Sequence, residues 1–204
     1  MDKVTKYIVG IDEVGRGPIA GPVCVVAFKL LSVDYQSLVE NSKKELKTPL
    51  RDSKKLSKKQ RDKWFEYLKV TKIEGLCDYS VSFVSSENID KFGISKCIKK
   101  ALSDSLKKLK MNPKEVKVLL DGGLHAPEEY INQETIIKGD ELHPVISFAS
   151  IVAKVSRDKV MFDYSKIYPQ YGFDKHVGYG TKNHYEAIKK HGQTPIHRKT
   201  FIHK

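Results

Sequence analysis

Four carboxylates stand where the pattern of the chain places the ends of structural elements. Asp12 and Glu13 close the run KYIVGIDE, Asp121 closes VKVLLD, and Asp140 follows a short apolar run within KGD. Acids beside glycine turns add little to packing, whereas hard cations such as Mg2+ and Mn2+ require oxygen ligands of this kind. Taken singly, each acid is more often a helix cap or a surface charge than a metal ligand. Asp121 weighs most, because VLLD sets a carboxylate directly behind an apolar core run. Consecutive strand residues point to opposite faces, so Asp12 and Glu13 share a site only if the backbone turns there. The glycines that follow permit such a turn. As a set, the four acids are read as a candidate metal site.

The elements that must position these acids follow from periodicity. Residues 6–12 and Cys77–Val84 alternate, Val23–Leu30 is a nearly continuous apolar run, and all three read as strands. Between the first two, Gly15, Gly17, Pro18, Gly21 and Pro22 force a sharp turn. Residues 32–56 are polar and lysine-rich and read as a loop with at most a short helical stretch. Ser57 is placed to cap a helix whose apolar face is Trp64, Phe65 and Leu68. A short helix opens at Ser85 or Ser86 and ends at Gly93, and Ser95–Lys110 carries apolar residues at helical spacing. Val116–Asp121 is a buried strand, Thr135–Ile137 a short fifth one, and Pro144 opens a long helix to about Ile167. A turn-rich stretch, YPQYGFDKHVGYGT, precedes a last helix over Lys182–His191, and residues 193–204 read as a loose basic tail. The economical fold is α/β, a mixed sheet with helices on its faces. No composition shift marks a domain boundary, so residues 1–204 are expected to form a single domain.

The composition limits the class of protein. The formal charge of +12 favours a polyanionic partner, although a lysine-rich solvated surface explains it equally well. Only five residues are arginine, and Arg16 stands out because it lies between two glycines. The three cysteines, Cys24, Cys77 and Cys97, lack zinc spacing and a disulfide pattern, so reduced and mostly buried thiols are expected. The longest apolar run, around Pro22–Phe28, is far short of the ~20 residues that span a bilayer. The N-terminus has neither a signal nor a transit pattern. A cytoplasmic protein without membrane contact is expected.

The motifs then become specific. GIDEVGRGPIAGPV resembles the signature of the type 2 ribonucleases H, bacterial and archaeal enzymes that attack RNA in RNA·DNA hybrids. DSKKLS at 52–57, LLDG at 119–122, KGD at 138–140, ASIVAKVSRD at 149–158 and HVGYGT at 176–181 continue the likeness in the family's order, over residues 8 to about 201. The resemblance implies an RNase H-like five-stranded mixed sheet flanked by helices, with residues 1–168 as the core and 169–204 as a C-terminal substrate-binding helical segment. It implies that Asp12, Glu13, Asp121 and Asp140 are catalytic and hold divalent ions, Mg2+ or Mn2+, two with substrate bound. It makes Gly15-Arg16-Gly17 the sensor of a ribonucleotide, with Tyr179 stacking on the following nucleotide. Backbone groups between glycines can approach a 2′-hydroxyl, and the Arg16 guanidinium can fork onto a phosphate. Ser53 and Lys54 in a basic loop, and Ser150 and Lys154 with Arg157 on the long helix, are weaker candidates for backbone contacts; plain solvated faces compete with that reading. The expected partners are RNA·DNA hybrids and DNA duplexes with embedded ribonucleotides, bound by a monomer.

The sequence departs from the family pattern at Phe148, at Val177, and in Gly122-Gly123 after Asp121, and it ends soon after RKTF. No ligand is touched, so altered packing or affinity is expected. Histidines cluster late in the chain, without a zinc pattern, and receive no catalytic role. Three rival readings remain: a type 3 ribonuclease H, a non-catalytic hybrid-binding module, and a DNA-only nuclease of the same superfamily. An N-terminal catalytic strand and an aspartate as fourth acid disfavour the first. The presence of all four acids disfavours the second, and the Gly-Arg-Gly turn the third.

Overall fold

The computed structural model describes residues 5–48, 50, 53 and 55–202. Five strands form one sheet in the order β3-β2-β1-β4-β5. These are β1 (Tyr7–Val14), β2 (Val23–Leu31), β3 (Cys77–Val84), β4 (Val116–Asp121) and β5 (Gln133–Ile136). β1 pairs antiparallel with β2, and β2 with β3, whereas β1–β4 and β4–β5 are parallel. The sheet is therefore mixed, as expected.

Period-two alternation sorts the side chains of β2 between two cores. Val23, Val25 and Ala27 join the core beneath α4 (Ile94–Lys108), together with Ile98, Leu102 and Leu106. Cys24, Val26, Phe28 and Leu30 face α2 (Lys58–Ile73) and α6 (Pro144–Ile167), meeting Trp64, Leu68, Phe148 and Val152. Because helices cover both faces, β2 is buried almost throughout. Phe148, one of the departures from the family pattern, packs against Phe28 and Trp64 at ring separations of 5.3 and 6.0 Å. All three cysteines are free and buried. No described helix is long and apolar enough to cross a membrane.

Local chemistry fixes several boundaries. Ser57 caps α2 in a capping box: its Oγ accepts the Gln60 amide, and its own amide donates to Gln60 Oε1. α3 (Ser86–Phe92) starts on the Ser85 cap and stops at Gly93. Pro144 opens α6 at its first turn, where a missing N–H is harmless.

Three expectations require correction. Residues 35–46, read as loop with at most a short helical stretch, form the twelve-residue helix α1 (Tyr35–Leu46), which seats Leu38, Val39 and Ser42 in the interior. The first strand does not stop at Asp12 but runs on to Val14, paired with Cys24. The tail is not loose. Ile196, His197 and Arg198 are buried, Ala20 bridges His197, and the Gly21 amide donates to Ile196 O. Together with α7 (Phe173–His176) and α8 (Lys182–His191), this segment closes a third small core around Tyr171, Phe173 and Met161. The tail was misread because its contacts are to residues far away in sequence, which local pattern does not register.

Candidate active site

β1 and β4 lie side by side and stay paired as far as Ile11 and Leu120, so the next residues, Asp12 and Asp121, leave the ladder together. Asp12 is 7% exposed. Its Oδ1 accepts the Glu13 amide at 2.8 Å, and Ser150 of α6 also bonds the carboxyl. Asp121 Oδ1 accepts the Gly139 amide at 2.7 Å. That bond holds Gly139 against Asp121, and Asp140 follows it in the chain, in the first turn of α5 (Gly139–Leu142). Asp140 is buried, and its carbonyl accepts the Ser147 hydroxyl at 2.6 Å.

Burial raises the Asp12 pKa well above the usual carboxylate range, and the charges of Glu13 and then Asp121 raise it further. Glu13 is also raised, by burial first; the nearby Arg16 opposes the shift and Asp121 adds to it. Three acids thus crowd one desolvated corner and repel one another. Among the described residues, no three His, Cys, Asp or Glu side chains converge at metal-holding distance. The acids are instead satisfied by amides, a hydroxyl and Arg16, whose Nη1 is 3.5 Å from Glu13 Oε1. An all-oxygen, mutually repelling donor set of this kind fits a hard divalent cation.

Beyond Val14 the chain turns through Gly15-Arg16-Gly17. Gly15 adopts φ +92°, where a side chain would be strained, and a Cβ there would lie 2.3 Å from Arg157 Nε. A Cβ on Gly17 would lie 3.8 Å from Tyr179 Cε1, so the turn and the GYG segment adjoin. Arg16 and Tyr179 both reach solvent, with the Arg16 side chain 58% and Tyr179 46% exposed.

The weaker contact candidates fall elsewhere. Arg157 is 0% exposed and donates to Pro22 O, Val177 O and Ala20 O at 2.9, 2.9 and 3.2 Å. It therefore braces backbone and does not face a phosphate, a correction that follows from helical phase: its stripe of α6 points under the turn. Ser53 and Ser150 are also buried, with their hydroxyls 2.8 Å apart, and Ser150 goes on to Asp12. They orient a carboxylate and are not open to a substrate. Lys154 is paired with Asp158 at 2.8 Å. Lys54 lies outside the described residues.

The late histidines, which the sequence gives no catalytic role, form a packed cluster behind Tyr179. His176 stacks on His184 at 4.4 Å, and His184 Nε2 faces His197 Nε2 at 3.1 Å. The Thr194 amide donates to His197 Nδ1, so the His197 proton sits on Nε2 and points at His184. His184 Nδ1 donates to Tyr179 O at 2.8 Å, which leaves its Nε2 as the acceptor. Both rings must stay neutral, because a second proton would set two N–H groups face to face. Burial pulls His184 down to about 4 and lowers His197 as well. An unfolded histidine takes up its proton near pH 6.5 while the folded His184 resists down to about 4, so its stabilising contribution is present at neutral pH and lost as pH falls across that window. The gap in thermal midpoint between the wild type and His184→Gln is therefore expected to narrow from pH 7 to pH 4.5. A gap independent of pH would show that the folded ring takes up its proton over the same range as the unfolded one.

A five-stranded mixed sheet that gathers buried acids where β1 and β4 part defines a hydrolase of the RNase H-like fold. Among solved structures the fold matches RNase HII in the PCNA complex from Archaeoglobus fulgidus, with TM-score 0.74 and 24% identity over 97% of this chain and 96% of that one. It matches the ribonuclease H2 of Pyrococcus horikoshii OT3 with TM-score 0.70 and 24% identity, over 95% of this chain and 93% of that one. Bst-RNase HIII in complex with Mn2+ shares the fold with TM-score 0.67 and 16% identity over 98% of this chain, but only 68% of that protein is covered. In sequence, the Ribonuclease HII of Clostridioides difficile (strain 630) is 45% identical over 98% of this chain and 72% of its own length. That of Endomicrobium trichonymphae is 47% identical over 95% of this chain and 84% of its own. The family model for Ribonuclease HII matches residues 9–204. The chain belongs to the ribonuclease HII family, and its enzymatic class is that of an RNase H endonuclease.

Proposed function

We propose that this enzyme hydrolyses the RNA strand of RNA·DNA hybrids and also incises duplex DNA on the 5′ side of a single embedded ribonucleotide. Asp12, Glu13, Asp121 and Asp140 are the acids that hold Mg2+ or Mn2+, two ions when substrate is bound. The observation that carries the reading is the adjacency of Gly17 and Tyr179, a few residues beyond the buried acids.

Bound to these oxygens, divalent ions supply an acidified water and compensate the charge that builds on the departing 3′-oxygen, giving 5′-phosphate and 3′-hydroxyl ends. The chain's own groups do the positioning. Glu13 N and Ser150 hold Asp12, and Gly139 N holds Asp121, so neither carboxylate needs to reorder as substrate arrives. The Gly15-Arg16-Gly17 backbone addresses the 2′-hydroxyl, which both donates and accepts. Arg16, held to Glu13 at the loose separation of 3.5 Å, turns its fork to a neighbouring phosphate. The Tyr179 ring stacks on the sugar or base that follows the ribonucleotide. Residues 169–204 act as the substrate-binding segment, where exposed Lys175, Lys182, Lys189 and Lys190 meet the duplex backbone.

The test is a DNA duplex with one ribonucleotide, offered with Mg2+ or Mn2+, alongside a long hybrid. Incision is expected on the 5′ side of the ribonucleotide. Stacking on an aromatic ring is worth about 1–3 kcal/mol per base, so Tyr179→Ala should lose about tenfold more on the single-ribonucleotide duplex than on the hybrid. Equal losses on both would remove Tyr179 from junction reading, and cleavage of the hybrid alone would indicate a type 3-like activity.

A further inference from the structure

We infer that the consecutive tail residues His197 and Arg198 are positioning residues that set the Gly15-Arg16-Gly17 turn and Tyr179 in register with each other. The inference rests on the proposal that these two segments read the ribonucleotide. Arg198 is 0% exposed, and its guanidinium donates to Gly15 O, Arg16 O and Gly21 O at 2.6, 3.1 and 2.9 Å. No described peptide bond is cis. In a trans peptide the carbonyl and the next amide point in opposite directions. With the Gly15 and Arg16 carbonyls drawn inward, the amides of Arg16 and Gly17 are turned outward, on residues that are exposed. Among the described residues neither amide has an acceptor within the protein. They are two adjacent donors presented to whatever occupies the turn.

The neighbouring residue serves the other half of the sensor. His197 Nε2 donates to His184 Nε2, and His184 Nδ1 donates to the carbonyl of Tyr179. A bridge to Ala20 and a bond from the Arg198 amide to Ile19 O pin the dipeptide between the two segments. One short stretch of tail thus reaches the turn through a guanidinium and Tyr179 through two imidazoles. Arg157 braces the same corner from α6, through Ala20 O and Val177 O.

A coupling of this kind matters most where both halves must act in a single binding position. A duplex with one ribonucleotide offers one productive register, whereas a long hybrid offers many and presents no RNA-to-DNA junction. Arg198→Lys keeps the charge but loses the fork. It is expected to lower kcat/KM on the single-ribonucleotide duplex by at least about tenfold, and to cost several-fold less on the hybrid. In a Tyr179→Ala background the same substitution should cost far less on the junction substrate, since the register it maintains no longer has a reader. His197 supplies a second, milder arm. His197→Gln can still donate to His184 and should preserve the ratio of the two activities, whereas His197→Asn keeps only the acceptor for Thr194 and should lower it. This arm decides the matter if Arg198→Lys does not fold. Equal loss on both substrates, or additive effects of Arg198→Lys and Tyr179→Ala, overturns the inference. A wild-type enzyme that fails to cut the single-ribonucleotide duplex would instead overturn the functional reading beneath it, before any variant is compared.

Discussion

Asp121→Asn is expected to reduce hydrolysis of every substrate by about 10³-fold or more, a loss of roughly 4 kcal/mol of transition-state stabilisation. The substitution preserves shape, and the amide oxygen can still accept the Gly139 N–H that the carboxylate now accepts at 2.7 Å. What disappears is charge, at a place where it already raises both Asp12 and Glu13. The variant should therefore fold as well as the wild type without divalent ions, with an equal or higher thermal midpoint, because one repelling partner of Asp12 and Glu13 is gone. It should still bind a hybrid. Mg2+ or Mn2+ should raise the wild-type midpoint by mass action on the folded state and raise that of the variant much less. Paired melting curves and single-turnover rates check all of this. A variant that keeps more than about a tenth of its activity would exclude Asp121 as a ligand.

The second large effect concerns stability. A Cβ on Gly10 would meet Val145 O at 2.3 Å, Val145 C at 2.4 Å and Ile146 N at 2.7 Å. These are backbone atoms in the first turn of α6, which no rotamer change can move aside. Gly10→Ala is expected to cost on the order of 3 kcal/mol, lowering the midpoint by roughly 6–12 °C in a chain of this size. Activity should fall as well, since lifting α6 from β1 draws Ser150 away from Asp12. Gly123→Ala, whose Cβ would meet nothing within 4 Å, is the matched control and should stay within about 0.5 kcal/mol of wild type. Comparable midpoints in the two variants would mean that the close approach of helix to strand does not set the requirement at Gly10.

Much of this architecture was legible in the chain because burial imposes period. Cys77–Val84, Val116–Asp121 and Lys182–His191 form the elements that alternation or helical spacing indicates, and Ser57, Gly93 and Pro144 mark ends for local chemical reasons. The α1 helix was read as at most a short helical stretch although Tyr35, Leu38, Val39, Ser42 and Leu46 lie at helical spacing. Its lysines and its small residue at 42 dilute the apolar signal, and only the docked partner shows that Ser42 is an interior position.

The sequence by itself determined which acids are candidates for one site, which turn must be glycine, and to which family the motifs point. It could not determine which groups meet. That Asp12 and Asp121 come side by side just past the last β1–β4 pair depends on the parallel pairing of those strands, made by residues far apart in the chain. Arg157 looked like a surface cation and the tail like solvated residue, yet both are interior. A guanidinium settles where backbone carbonyls remain unpaired, and those of Gly15, Arg16, Ala20, Gly21 and Pro22 are left over only because the turn that holds them abandons the β ladder. Hydrogen-bond demand created by folding, invisible to period and composition, placed the two arginines and with them the histidines behind Tyr179.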